Sequence, residues 1–172
     1  RAILMALVHF PRGGTPTRRP VLKSTLLDDG RSDPAAIHHA LYRLSGGPLV
    51  IDTDAVPARL VTVTTPSDPS RTSVDLVHEA LLQVEPIASW IREEATALHL
   101  RAEVEAGAAY WDDHQRASVW LPDDARTSLY AKAALVGLKP IAREYLRRAV
   151  RRATWRRWGA RGASVRVTKT ER

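Results

Sequence analysis

Ser73-Val74-Asp75-Leu76-Val77-His78-Glu79-Ala80-Leu81-Leu82 divides this chain into two kinds of sequence. Its first half reads as a short buried strand, and it runs without a turn signal into a helix start. Upstream, short helical and strand-like segments alternate; downstream, nearly everything is helical. The polar pair His78-Glu79 stands at the junction. A chain built this way is mainly α with a small β-sheet.

Upstream of the junction, Ala2 to Phe10 reads as a short buried helix ended by Pro11 and Gly13-Gly14. Thr15 to Val21 is a loop or very short edge strand, because Pro20 has no N–H for a ladder. Ser24 is the expected N-cap of a brief helix through Leu26-Leu27 that stops at Asp28-Asp29-Gly30. Ser32 or Asp33 caps a third helix with Pro34 in its first turn. Its apolar face is Ile37, Ala40, Leu41 and Leu44, and Gly46-Gly47-Pro48 ends it. Strand-like runs follow at 49–51, 59–64 and 74–77, rich in Val, Ile and Thr. Three helices followed by a small sheet is the order of a winged-helix domain, with an elaborated wing over 52–72.

Downstream, a short helix over 79–84 is expected to break at Pro86, which opens a long one. Ile87, Trp90, Ile91, Ala95, Leu98, Ala102 and Ala109 form its apolar stripe, while Arg92, Glu93, Glu94, Arg101, Glu103 and Glu105 face water. A polar connection carrying Trp111 and Trp120 leads to a helix with Leu129, Ala133, Leu135 and Val136 inward. Pro140 opens the last helix, with Ile141, Tyr145 and Val150 on its apolar side. The expected domains are a winged helix over 1–84, a helical domain over 85–140 and a basic connector over 141–172.

Charge follows the same division. Residues 141–172 carry 11 Lys and Arg against 2 Glu, a net of +9, whereas residues 1–140 carry 15 against 17. The overall +7 therefore belongs to the tail, where Arg147, Arg148, Arg151, Arg152, Arg156 and Arg157 come in pairs. Either this is a solvated helix leading to a following domain, or it binds nucleic acid or an anionic membrane, which Trp155 and Trp158 would suit.

Several chemistries lack their residues. There is no cysteine, hence no disulfide framework and no thiolate metal site. No Gly-x-x-x-x-Gly-Lys-Ser/Thr loop occurs, and His38-His39 are adjacent rather than at ligand spacing. The Asp pairs 28/29, 112/113 and 123/124 fall where Asp serves turns. No apolar run approaches the roughly 18 residues of a spanning helix, and a cytoplasmic location is expected. The chain opens on Arg1 rather than Met and reads as a piece of something longer. By itself it is not expected to be an enzyme.

Two readings of His78 remain. It is a strand-end histidine bonded locally and silent, or it adds an imidazole N–H to the free N–H groups of the following helix and meets a phosphate oxygen.

Val74-Asp75-Leu76-Val77-His78-Glu79-Ala80-Leu81-Leu82, followed by Trp90-Ile91 and an acid-rich helix, resembles the segment after the ATPase core of bacterial novel STAND NTPases. Thr17-Arg18-Arg19-Pro20-Val21 in front is similar to that family's winged-helix domain. The runs Leu129 to Leu135 and Arg143 to Ala149 behind continue the likeness, which covers about residues 1–155. The resemblance implies a part of a signalling ATPase that switches between ADP-bound closed and ATP-bound assembled states. In the wider class a Met-His-Asp-like motif places its histidine on the ADP β-phosphate, and His78-Glu79 stands in that place, with Val77 for Met and Glu79 for Asp. The resemblance further implies ADP or ATP held mainly by an upstream ATPase domain in cis and not by this segment alone. It also implies oligomerisation of the parent and a WD-repeat or other effector module downstream. The rival is a DNA-binding winged-helix regulator reading through helix 33–45, whose His38, His39, Tyr42 and Arg43 make no basic face.

Overall fold

A computed structural model describes residues 1–28, 33–47, 59–132 and 137–167, the side chains of Lys132 and of 159–167 excepted. The fold is mainly α with small antiparallel sheets. It divides into two compact units, Arg1–Glu103 with Leu135–Lys139, and Val104–Ala134 with Pro140–Arg172. The sequence boundary at 84/85 thus falls inside the first unit, because Ile87, Ile91 and Leu98 join the same core as the sheet.

The first unit opens with helix α1 (Ala2–Ala6), which stops sooner than expected. Val8–His9 turns extended as strand β1 and pairs antiparallel with β2 (Thr17–Arg18). An apolar run of this length fits helix and strand equally, and pairing with a second segment decides. Strand β3 (Val21–Leu22) leads directly into α2 (Lys23–Leu27), so Leu22 and not Ser24 holds the N-cap position. Helix α3 (Pro34–Leu44) starts as expected: the Asp33 carboxylate accepts from the Ala35 N–H at 3.1 Å, and Pro34 fills the first turn. Ile37 and Leu41, one turn apart, are its buried residues.

Strands β4 (Val61–Thr64) and β5 (Ser73–Leu76) complete a three-stranded antiparallel sheet in the order β3-β5-β4. β5 is central. Its Val74 and Leu76 face the core while Ser73 and Asp75 alternate outward, and Val74 is flanked by Val21 and Val63 across the two pairings. The expected strand at 49–51, the Ser32 cap, part of the wing, and Ala133, Leu135 and Val136 lie outside the described residues.

After β5 the expected helix 79–84 is a 3-10 turn over Glu79–Gln83, pinned by buried Leu82. The long helix is two: α4 (Ile87–Glu93) and α5 (Ala95–Asp113). Beyond the break at Glu94 the expected Leu98 and Ala102 are buried, and only farther along does the stripe shift, with Ala108 buried and Ala109 exposed.

Arg101 corrects the sequence more sharply. Expected in water, it is 4% exposed and donates to the carbonyl oxygens of Met5, at 3.0 Å, and Val8. Arg19 donates in the same way to Ala6 O at 3.1 Å and Gly137 O at 3.0 Å. The last carbonyls of a helix have no partner within it. Two buried guanidinium groups supply donors to that end of α1 and to the strand after it.

Near the start of α4, Glu85 accepts from Ser89 Oγ at 2.5 Å, Ser89 N at 3.1 Å and Arg92 at 2.7 Å. The Ser89 hydroxyl, and after it Arg92, holds the Glu85 carboxyl below the ordinary carboxylate range. An acid depressed by folding contributes stability above its unfolded pKa and loses it as pH falls through the folded value. Glu85→Gln is therefore expected to lower the urea midpoint at pH 7 and to make little difference once the solution is acid enough to protonate the wild-type carboxyl. An equal effect at both pH values would show that the bonds to Ser89 and Arg92 do not depend on charge.

The second unit combines the C-terminal part of α5 with α6 (Asp124–Lys132) and α7 (Pro140–Val167), the latter two packed together. Asp123 caps α6 by accepting from the Arg126 N–H at 2.7 Å. Expected inward, Leu129 is half exposed; Thr127 and Tyr130, three residues apart, are buried instead. In α7 the buried side is Ala142, Tyr145, Ala149 and Ala153, while Val150 is exposed. Trp111 lies in α5 rather than in a connection, is fully buried, and has the Tyr145 ring 5.7 Å away. The guanidinium groups of Arg116 and Arg148 sit over its indole at 5.8 and 5.2 Å.

Candidate functional site

The strand that carries the junction is well held. Val77 N donates to Leu60 O at 3.1 Å just beyond the β4–β5 ladder, and the Arg18 guanidinium lies 3.7 Å from the Asp75 carboxylate. His78 then continues extended, at φ −137° and ψ 138°, and occupies the N-cap position of the 3-10 turn. Its side chain makes no capping bond; only its carbonyl takes part, accepting from Leu81 N at 3.2 Å. His78 and Glu79 are both exposed.

Glu79 lines a groove with Thr15, Pro16, Thr17, Ala80, Leu82 and Gln83, and His78 is not among its walls. Thr15 and Thr17 belong to the segment expected as a loop or very short edge strand; the strand pairing of Thr17 brings them beside the turn. A five-residue 3-10 turn is a weaker anion cradle than the helix expected here, since its few N–H groups are not backed by a long dipole. The arrangement suits presentation: an imidazole held outward from a central strand, able to bond an anion held elsewhere.

The six tail arginines are placed unevenly. Arg152 donates to the carbonyls of Ser118 at 2.6 Å, Leu121 at 3.2 Å and Pro122. Arg148 pairs with Glu144 at 2.7 Å and covers Trp111, and Arg156 approaches Asp124 at 3.9 Å. Arg147, Arg151 and Arg157 are exposed. On α3, His38, His39 and Tyr42 are exposed and Arg43 is partly buried, so the helix shows a mixed aromatic and imidazole surface.

Fold and site together define a helix-dominated chain with a small antiparallel sheet whose central strand ends in an outward His-Glu pair. Residues 1–119 match the family model described as Novel STAND NTPase 1, and the chain belongs to that family. No curated protein and no solved structure matches it. Among the described residues, no helix is long and apolar enough to cross a membrane.

Proposed function

We propose that this chain is the regulatory winged-helix and helical region of a cytoplasmic STAND-type signalling ATPase, and that His78 senses the nucleotide. ADP or ATP is held mainly by an ATPase domain upstream in the parent, while this region supplies no catalysis of its own. In the ADP state His78 donates to the β-phosphate and holds the parent closed; Glu79 supports the turn that carries it. Release of that bond favours assembly of the parent and passes the signal to an effector module downstream.

The observation that carries this reading is the placement of His78 at the end of the central strand, exposed and with its imidazole not spent on a cap. The winged-helix part is supported by the chain order β3, α2, α3, β4, β5, which follows α1 and the β1–β2 pair, and by the sheet order β3-β5-β4. Family membership supports the nucleotide.

A ligand shifts a two-state equilibrium only by its differential affinity for the two states. A hydrogen bond to a charged group contributes about 1.5–3 kcal/mol, which corresponds to roughly 10- to 100-fold. In the full-length parent, His78→Ala is expected to speed ADP dissociation by about that factor, read by displacement of a fluorescent ADP analogue. An unchanged dissociation rate would sink the sensor role.

A further inference from the structure

Helix α7 has two unlike sides. Ala142, Tyr145, Ala149 and Ala153 are buried. Opposite them run Arg147, Arg151, Trp155 and Trp158, spaced by four, four and three residues and so aligned on one stripe. All four are exposed, Trp155 at 78% and Trp158 at 72%. Two bare indoles on one stripe are unusual for a surface that meets only water, where large apolar groups are kept few. The sequence from 145 to 170 contains no Asp or Glu, so this side of the helix carries one sign of charge.

From this pattern we infer that the outer stripe of α7 docks on the surface of an anionic phospholipid membrane. An indole suits the headgroup level, with an apolar ring toward the acyl boundary and a polar N–H toward water. Arginines on the same face meet the lipid phosphates, and a helix of this kind lies in the plane of the interface. On this stripe Arg147 and Arg151 are the exposed cations among the described residues, whereas Arg148 and Arg152 are engaged within their own unit. Duplex nucleic acid offers phosphates but no apolar layer for two tryptophans. The inference is independent of any role for His78.

The test uses the whole chain with two sets of vesicles, phosphatidylglycerol mixed into phosphatidylcholine and phosphatidylcholine alone. The chain is expected to sediment with the anionic vesicles only and to be released by salt. Brominated lipid should quench its tryptophan emission. Near an anionic surface each basic side chain is worth a factor of about five. Arg147→Gln with Arg151→Gln should therefore weaken partition on the order of 10-fold or more. Trp155→Ser with Trp158→Ser should abolish the bromine quenching, with unchanged far-UV circular dichroism. The inference is overturned if the anionic vesicles leave the chain in solution. It is equally overturned if the double tryptophan variant partitions as the parent sequence does. Tryptophan-dependent binding to a single-stranded oligonucleotide without vesicle binding, or tryptophan-dependent self-association in its place, would assign the stripe to another partner.

Discussion

Trp111→Ala is expected to lower the stability of the second unit by about 3–5 kcal/mol, the usual cost of removing a large buried aromatic. Trp111 is fully buried and the bulkiest side chain to be so. Its loss would leave a cavity bounded by the Tyr145 ring and by two guanidinium groups. Neither arginine can collapse into it cheaply: Arg116 is held by Asp112 at 2.7 Å and Arg148 by Glu144 at 2.7 Å. The Asp112 hydrogen bond raises the Arg116 pKa further, so no accessible pH discharges it. Urea unfolding followed by circular dichroism reads the loss; Trp111→Phe should recover a large part of it. A shift under about 1 kcal/mol would mean that the site repacks completely.

Arg101→Met is the second large effect, and its sign is informative. Replacing a buried ion pair with apolar residues is often neutral, because both desolvated charges leave together. Here the acceptors are main-chain carbonyls of Met5 and Val8, and they stay. Each buried acceptor left without its donor costs about 1–3 kcal/mol, so a loss of roughly 2–6 kcal/mol is expected for the pair. Arg101→Lys should fall between, since one ammonium lacks the planar fork that spans both oxygens. The urea midpoint decides; a Met variant as stable as the original chain would show that other donors reach these carbonyls.

Much of this architecture was legible because local chemistry and tertiary packing agree. At α3 the Asp33 cap, Pro34 and the Ile37/Leu41 spacing all point the same way. At β5 the apolar run from Val74 marks the strand, and the structure places Val74 and Leu76 on its inward face. Where the reading failed, a competing partner decided. Val8-His9 became a strand because Thr17-Arg18 lay alongside. The break at Glu94 was not legible, because nothing in the sequence marks it with Pro or Gly, although Leu98 and Ala102 beyond it are buried as expected. Arg101 was placed in water by its residue type, yet it stands three residues after Leu98, on the buried side. That spacing was the available signal. At the candidate site the position of His78 on the central strand was legible. The neighbouring Thr15 and Thr17 were not, because only the β1–β2 pairing brings that loop to the 3-10 turn.

Gly137 bears on the order in which this chain can be made. It sits at φ +67°, in the left-handed region that glycine enters freely, and a Cβ there would come within 2.7 Å of Ala6 Cβ. Its carbonyl accepts from Arg19, across 118 positions of sequence. The first unit therefore closes with a piece that leaves the ribosome long after the rest of it. At about 5–20 residues per second the nascent segment waits seconds with the end of α1 incompletely covered. The family match covers residues 1–119 and does not include that piece. A segment cut to the matched range would lack a piece that the first compact unit contains.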